Sequence, residues 1–245
     1  MNTIKRSGRF LPFFRHRAYT PFLLLSYSRS GSTWVHTALN SHPHILSLGE
    51  ELGPYFSREG GLNFLTYIFK RPHSKQVQAL GSKLFYQQVY TDTGIAFWNF
   101  WREQQWPVIH LQRHNLLRII VSEEIAKANK RWSMSNGKYR QDTKSKAIEL
   151  LPEVLLQRMG HIEHLQQVFA RQLKDYPAVL SISYEALQAT PEEEFARIQK
   201  FLGVRPQALY SLLKKQNPEP LSQLLLNYAE IQQELQGSAW EGFLE

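Results

Sequence analysis

The 245-residue sequence predicts an α/β fold, with a P-loop-like central parallel β-sheet covered by helices on both faces. Strand-like apolar runs recur at residues 22–26, 83–86, 108–111 and 179–182. Helix-like segments follow or separate them, at about 33–41, 115–130, 153–174 and 191–202. Such alternation is typical of parallel sheets that are buried on both faces. A small polar turn between the first strand and the first helix has the layout of a phosphate-binding loop and favours the same fold class.

Residues 28–33 (Ser-Arg-Ser-Gly-Ser-Thr) form this turn, directly after the apolar run 22–26. They place hydroxyl groups, the guanidinium of Arg29 and free backbone N–H groups where an anion would lie. The helix dipole and the unpaired N–H groups of the first helical turn favour phosphate or sulfate there. The alternative is an ordinary strand-to-helix turn that is capped by Ser or Thr.

The turn lacks two common nucleotide-binding patterns. G-x-x-x-x-G-K-[ST], in which Lys holds the terminal phosphates and Ser or Thr binds magnesium, does not occur in this sequence. The dinucleotide fingerprint G-x-G-x-x-G is missing as well. We therefore expect Arg29, the hydroxyls and the backbone to bind the anion without a Lys–metal pair, which disfavours kinase chemistry.

A second motif of the same kind follows the strand that ends at Gln112. Arg113 stands at the carboxyl end of this strand, Asn115 can cap the next helix, and Ser122 lies about two turns along it. Arg113 and Ser122 could therefore bind one phosphate. Taken singly, Arg113 could pair with a helix carboxylate, and Ser122 could be a solvated or core hydroxyl. Together the two motifs suggest one ligand with phosphate-like groups at both ends.

Local signals define the remaining organisation. Thr190 and Pro191 begin a helix with three glutamates in its first turn, and Gly203 ends it. The polar, basic stretch 131–146 is predicted to be a mobile loop over the ligand crevice. No repeat or linker divides the chain, so we expect a basic tail over residues 1–20 and a single domain over residues 21–245.

Composition limits the possible partners and compartments. The net charge of +8 suits an acidic ligand, and the absence of cysteine excludes disulfides, thiolate metal sites and cysteine nucleophiles.

No apolar run approaches the ~18 residues of a membrane-spanning helix. Residues 5–17 alternate bases with aromatics, which we expect to pack on the domain; a peripheral contact with an anionic membrane is the alternative. The charge is spread along the chain without a nucleic-acid-binding motif, so nucleic acid is not a predicted partner.

The two anion motifs, in this order, resemble those of the sulfotransferases that use 3′-phosphoadenosine 5′-phosphosulfate (PAPS). Residues 29–34 (Arg-Ser-Gly-Ser-Thr-Trp) are similar to the 5′-phosphosulfate loop of the carbohydrate and bacterial enzymes, whereas the aryl and steroid enzymes carry Lys in this loop. Residues 113–122 are similar to the family's 3′-phosphate motif. Further similarities lie at residues 40–45, 48–50, 81–85, 183–187, 215–221 and 227–228, so the resemblance spans roughly residues 20–245.

The resemblance implies in-line transfer of a sulfonate from PAPS to an alcohol or amine, with cationic side chains in place of a metal. Arg113 and Ser122 would bind the 3′-phosphate, and Tyr184 would line the nucleotide pocket. Trp34 would stack on the adenine or pack on the sheet. The residues that would hold the 5′-phosphate are Arg29, Ser30, Gly31, Ser32 and Thr33, and Arg29 would also steady the leaving group.

The general base is expected at Glu50, where similar bacterial and carbohydrate enzymes place an acidic residue; Glu51 competes for this role, and either could be a solvated loop carboxylate. We expect Glu50 to be buried near the bound anions, which suits a base at neutral pH. Lys83 is a weaker candidate for the active site than these carboxylates. His36 is expected to be a buried structural residue, and the aromatic cluster at 97–101 with Trp106 to be packing rather than an acceptor platform.

Two other function classes remain open from the sequence. One is a kinase-like phosphotransferase with an atypical loop, and the other is a non-catalytic binder of anionic ligands. The acceptor is expected to be a small molecule, a carbohydrate or a lipid-linked alcohol. The Arg-type loop and the lack of a membrane anchor favour a cytoplasmic bacterial enzyme. Peripheral association with the membrane through the N-terminus is the alternative location.

Overall fold

The structure, a computed structural model, describes residues 15–16, 18–50, 52–57, 59–129, 146–213 and 215–244. Its main sheet has five parallel strands, in the order β3-β5-β2-β6-β7. A separate two-stranded antiparallel sheet joins β1 to β4. The strands are β1 (Arg15–His16), β2 (Thr20–Ser26), β3 (Ile45–Ser47), β4 (His73–Ser74), β5 (Ala79–Phe85), β6 (Val108–Gln112) and β7 (Val179–Ser183).

Helices connect the strands and cover both faces of the main sheet. The α-helices are α1 (Ser32–Leu39), α2 (Gly61–Lys70), α3 (Tyr86–Val89), α4 (Asp92–Glu103), α5 (Leu116–Ala128), α6 (Pro152–Leu173), α7 (Tyr184–Ala189), α8 (Pro191–Phe201), α9 (Leu221–Leu224) and α10 (Tyr228–Leu235). Short 3₁₀ helices lie at Gly53–Ser57 and Glu241–Leu244. The predicted α/β class with a central parallel sheet is therefore confirmed.

The central strand β2 is buried on both faces, and its side chains alternate between two cores. Leu23 and Leu25 belong to the larger core, with side chains of α2, α4, α5 and α6. Phe22 and Leu24 belong to the smaller core, with side chains of α1 and α8. This alternation is the two-residue period of a strand, and it explains why β2 reads as a continuous apolar run.

The predicted strands and helices are present, but some bounds differ. The run predicted at 83–86 is the end of the longer strand β5, whose first half contains small and polar residues that hide it from a hydrophobicity pattern. The short strand β3 and the helices α2, α4 and α7 were not predicted. The strand β3 has three residues, of which two are apolar, and these are too few to show the period of a strand.

The predicted helix ends agree with the structure in two cases and differ in one. Asn115 caps α5, accepting a hydrogen bond from the Arg118 N–H at 2.9 Å. Gly203 ends α8 with a φ of 72°. Thr190 occupies the position before α8, but its hydroxyl makes no capping bond and lies 3.5 Å from the carbonyl oxygen of Ala186. Thr190 therefore joins α7 to α8 rather than capping α8 with its side chain.

The aromatic cluster is part of the larger core, as predicted. Phe97, Trp98 and Trp101 of α4 are buried. Trp101 donates from its indole N–H to the Trp106 carbonyl oxygen at 3.0 Å, and the two rings pack edge to face. These residues hold α4 against the sheet, away from the carboxyl ends of the strands.

Several predictions concern residues that the structure does not describe. The loop predicted at 131–146 lies outside the described residues except for Lys146, and the same is true of most of the tail predicted at 1–20. Among the described residues, no helix combines the length and the apolar character that a membrane crossing would need.

Gly81, in the buried part of β5, is directly opposite Phe22 of β2, and a methyl group at this position would run into the Phe22 ring. We expect Gly81→Ala to lower the free energy of unfolding by about 1–3 kcal/mol, because overpacking shifts a buried ring. Urea denaturation measures this change. Gly242→Ala is the control, since the space around Gly242 is open and an effect within about 0.5 kcal/mol is expected. Equal effects of both substitutions would contradict this account of the core.

Candidate functional site

A cleft of about 490 Å³ lies at the carboxyl ends of the parallel strands. In an open parallel sheet, this edge is where loops from successive strands meet and where ligands bind. All of the predicted site residues except Ser30 line the cleft: Arg29, Gly31, Ser32, Thr33, Trp34, Glu50, Arg113, Ser122 and Tyr184. Ser30 is fully buried behind them.

The turn between β2 and α1 leaves the start of α1 open to a ligand. Gly31 is the residue before the helix, with a φ of 91°, and its carbonyl oxygen accepts from the Trp34 N–H at 2.9 Å. Among the described residues, no side chain caps α1, and its first turn carries no acidic residue. The first amides of the helix and its dipole are therefore available to an anion.

The side chain of Tyr184 lies against Gly31 and links the two anion motifs. A Cβ at position 31 would lie only 2.5 Å from Cδ2 of Tyr184, so the close approach requires glycine. On the same aromatic ring, the Cζ atom of Arg113 lies 4.3 Å from the centroid. Arg113 also donates from Nη1 to the Arg29 carbonyl oxygen at 3.2 Å. Trp34 packs edge to face on Tyr184 and Phe195, so it both lines the cleft and packs in the smaller core.

Arg29 contacts Ser122 directly, although the sequence placed these two residues at opposite ends of one ligand. The Nε and Nη2 atoms of Arg29 donate to Ser122 Oγ at 3.0 and 2.9 Å, and Nη2 also donates to Gln216 Oε1. The guanidinium thus reaches from the first motif to the second. The two anion sites are adjacent parts of one cleft.

Further cations surround this region. Arg118, one turn before Ser122 on α5, donates from Nη1 to the Glu219 carbonyl oxygen at 2.8 Å. Burial lowers the pKa of Arg113 and of Lys215, and neighbouring arginines lower both further. Such repulsion between like charges would be relieved by a bound anion.

Sequence reasoning missed Arg118, Lys215 and Gln216 as cleft residues, although all three line the cleft. Arg118 lies within the recognised second motif but resembles any other charge on a helix surface. Residues 215–217 belong to a segment without helical or strand periodicity. The similarity of residues 215–221 to bacterial sulfotransferases was the only signal in the sequence, and it did not indicate a role.

Glu50 and Lys83 form an ion pair at the edge of the cleft. Lys83 donates from Nζ to Glu50 Oε1 at 2.6 Å and to Thr33 Oγ1 at 3.0 Å. The Lys83 side chain is 3% exposed, and burial lowers its pKa while the Glu50 carboxylate opposes that change. The expected burial of Glu50 is wrong, because its side chain is 57% exposed. Its predicted competitor, Glu51, lies outside the described residues.

His36 supports the turn that presents Glu50. Its Nδ1 atom lies 2.7 Å from Ser47 Oγ, and a Cβ at Gly49 would lie 2.7 Å from its Nε2 atom. Gly49 has a φ of 62°, and its carbonyl oxygen accepts from the Lys83 N–H at 3.0 Å. These contacts hold the ring in a structural position, although His36 is half-buried rather than buried as expected.

A family model for the sulfotransferase domain matches residues 19–243, which is nearly the whole chain. The chain belongs to the sulfotransferase family. The resemblance drawn from the two anion motifs is therefore confirmed, and the protein is an enzyme of sulfonyl transfer. The cleft described above is the feature of this sulfotransferase that brings both motifs together.

Individual relatives are distant from this sulfotransferase. Nodulation protein H of Rhizobium tropici is 26% identical over 241 residues, which cover 92% of this chain and 93% of that protein. A sulfotransferase structure from Alicyclobacillus acidocaldarius has a TM-score of 0.48 at 14% identity, covering 93% of this chain and 96% of the other. The structure of mouse sulfotransferase SULT7A1 complexed with PAP has a TM-score of 0.46 at 19% identity; the match covers 80% of this chain and 62% of the mouse protein, less than two thirds of its length.

Burial lowers the pKa of His36 and of His110 to about 4 each. We expect the ring protons of both residues, followed by NMR, to keep the shifts of neutral imidazole from pH 8 down to pH 5. In the unfolded chain, each imidazole binds a proton near pH 6.5. The contribution of the two neutral rings to the free energy of unfolding is therefore complete above pH 6.5 and falls as the pH drops toward 4. Spectra of the variants His36→Gln and His110→Gln show which ring-proton signals belong to which histidine. A midpoint near 6.5 for either ring would contradict its burial in the neutral form.

Proposed function

We propose that this sulfotransferase transfers the sulfonate of PAPS to a hydroxyl or amine acceptor, with a carbohydrate or lipid-linked molecule as the preferred acceptor. The observation that carries the proposal is the convergence of cationic side chains on one cleft that also contains an open helix start. Arg29, Arg113, Arg118 and Lys215 line this cleft, together with a single carboxylate among its described residues, that of Glu50.

One buried polar atom of the second motif supports the fit of a phosphorylated nucleotide. Ser30 Oγ and Arg113 Nε have no hydrogen-bond partner among the described residues. Such atoms usually find a partner when buried, because an unpaired donor costs about 1–3 kcal/mol. Arg113 Nε lies in the second motif, and Ser30 lies in the loop before α1. Arg113 therefore lies where the proposal requires the 3′-phosphate, whereas Ser30 is buried behind the cleft and does not face the ligand.

The 3′-phosphate distinguishes PAPS from ordinary nucleotides, and the second motif offers it a cationic site. Arg113 is held by the Tyr184 ring and by the Arg29 carbonyl oxygen, with its Nε donor still unpaired. Arg118 and Lys215 add positive charge beside it. Guanidinium groups suit phosphate because they offer several donors in one plane.

When bound, PAPS supplies a sulfonate activated by a good leaving group, adenosine 3′,5′-bisphosphate. Arg29 and the amides at the start of α1 would stabilise the charge that develops on the bridging and equatorial oxygens. Glu50 would accept the proton of the acceptor hydroxyl as general base. Lys83, which contacts both Thr33 and Glu50, would hold the carboxylate beside the loop.

The first test is calorimetry of the wild type with adenosine 3′,5′-bisphosphate, adenosine 5′-phosphate and ATP, all in EDTA, repeated for Arg113→Gln. We expect the wild type to prefer the bisphosphate. In Arg113→Gln we expect the bisphosphate to bind about 10- to 100-fold more weakly, the scale of a lost hydrogen bond to a charged group. Adenosine 5′-phosphate should bind the variant nearly as it binds the wild type.

Arg171→Gln is the matched control, because Arg171 is exposed on α6 and outside the cleft. An equal loss of affinity for both adenosine nucleotides would remove Arg113 from the 3′-phosphate site. Binding of ATP that appears only when magnesium replaces EDTA would overturn the donor assignment in favour of a kinase-like enzyme.

The role of Glu50 is tested by Glu50→Gln, in which the amide oxygen can still accept from Lys83. We expect turnover to fall by about 10²-fold or more, the usual scale of a general base, with bisphosphate affinity unchanged. Steady-state kinetics and calorimetry measure the two quantities. Glu59→Gln, an exposed neighbour outside the cleft, serves as the control. Near-normal turnover of Glu50→Gln would transfer the role to another residue.

A further inference from the structure

Residues 215–219 form an irregular segment beside the cleft, and the first three of them contribute to its lining. Among the residues that the structure describes, no backbone group of this segment bonds to another backbone group. Backbone carbonyl groups that are withdrawn from water need partners, because an unpaired polar group is costly there. Side chains must therefore hold this segment in place.

Two cationic side chains supply the partners. Arg118 donates from Nη1 to the Glu219 carbonyl oxygen at 2.8 Å, and Lys146 donates from Nζ to the Gln216 carbonyl oxygen at 2.9 Å. Arg118 lines the cleft, whereas Lys146 lies outside its lining. The two bonds hold the segment at two points, three residues apart.

The carboxylate of Glu219 holds Lys146 in this position. Lys146 Nζ lies 2.7 Å from Glu219 Oε1, and the two side chains are 21% and 31% exposed. Burial raises the pKa of Glu219, but hydrogen bonds from Lys146 and from its own backbone N–H, together with the charges of Lys146 and Arg118, lower it by more. Glu219 is therefore ionised at neutral pH, and it forms an ion pair with Lys146.

The side chain of Gln216 links the segment to the first anion motif. Gln216 Oε1 accepts from Nη2 of Arg29, the same nitrogen that donates to Ser122 Oγ at 2.9 Å. The guanidinium is thus held between α5 and residue 216. Because the side chain of Gln216 projects from the backbone that Lys146 holds, the position of its amide oxygen depends on Lys146.

We propose that Lys146 is a positioning residue of the donor site, with Glu219 as its counter-ion, and that it acts through Gln216 on the Arg29 guanidinium. This inference rests on the proposed PAPS-dependent function, in which Arg29 binds the 5′-phosphate and steadies the leaving group. A hydrogen-bond donor that is already oriented does not have to be ordered when the ligand binds. Lys146 contributes this orientation from outside the lining of the cleft.

The test uses calorimetry with two nucleotides that share the 5′-phosphate, adenosine 3′,5′-bisphosphate and adenosine 5′-phosphate. Lys146→Met removes the ammonium group but keeps an unbranched side chain. We expect both nucleotides to bind this variant about 10-fold more weakly, the scale at which residues of one hydrogen-bond network affect each other. Arg113→Gln differs, since it should weaken binding of the bisphosphate alone. Lys146→Arg should recover most of the affinity, because a guanidinium can donate to both acceptors of Lys146.

A double-mutant cycle shows whether the effect passes through Gln216. Gln216→Ala removes the side-chain contact with Arg29, so adding Lys146→Met to Gln216→Ala should weaken binding by less than about 2-fold. Independent effects would instead multiply, and the second substitution would again cost about 10-fold. Glu219→Ala should weaken binding of both nucleotides in the same pattern as Lys146→Met, because Lys146 loses its counter-ion.

Lys127→Met is the matched control. Lys127 also pairs with carboxylates, lying 3.0 Å from Glu123 and from Glu124, but it is outside the cleft. Its substitution should leave both affinities within about 2-fold of the wild type. Urea denaturation of each variant shows whether folded proteins are being compared. If Lys146→Met does not fold, Glu219→Ala tests the proposal with the same expected pattern.

Unchanged affinities in Lys146→Met, a loss confined to the bisphosphate, or a full further loss in the Gln216→Ala background would each overturn the proposal. Failure of Lys146→Arg to recover binding would do the same. Failure of adenosine 3′,5′-bisphosphate to bind the wild type would instead overturn the proposed function itself, so the two failures are distinguishable.

Discussion

The in-register parallel pairing of β2 with its two neighbours is the constraint on which the site depends. Because β2 pairs with β6 so that Ser26 lies opposite Leu111, the turn that contains Arg29 and the strand end that contains Arg113 emerge side by side. Pairing with β5 places Lys83 opposite Leu24, and from there its ammonium group reaches Thr33 in the first turn of α1. A shift of either strand by one residue would turn these side chains to the other face of the sheet. The register therefore decides which cations share the cleft, and buried apolar side chains on both faces of β2 enforce it.

The loop after β2 departs from the pattern of a Lys-containing phosphate loop, and its structure shows what arginine adds. Arg29 has a φ of 63°, a conformation that non-glycine residues rarely adopt and that costs about 1–2 kcal/mol. Its carbonyl oxygen accepts from Arg113, and its guanidinium donates to both Ser122 and Gln216, so neighbours on three elements hold the strained residue in place. A lysine offers one point charge on a flexible chain and could not make these divergent contacts from a single planar group. The arginine is therefore a structural link between the two anion motifs as well as a positive charge.

Much of the fold and the membership of the cleft could be predicted from the sequence, because both depend on local patterns. The apolar run of β2, the capping Asn115 and the glycine that ends α8 each carry their signal in a few adjacent residues. The direct contact of Arg29 with Ser122 could not be predicted, since it joins residues 93 positions apart through a side-chain conformation. The exposure of Glu50 was missed for a similar reason: its environment is set by Lys83, on a strand whose small residues weaken the hydrophobic pattern.

The charge balance of the cleft follows from the positions of its cations relative to the nearest carboxylates. A cleft with four cations around one carboxylate attracts a polyanionic ligand, and the same positive potential also slows the departure of an anionic product. On α5 after Ser122, Glu123 and Glu124 neutralise Lys127 and Arg158 within a few ångströms, so this part of the helix adds no net charge to the cleft. The positive charge of the cleft therefore comes from Arg29, Arg113, Arg118 and Lys215, and the register of β2 with β6 brings the arginines of the two motifs together.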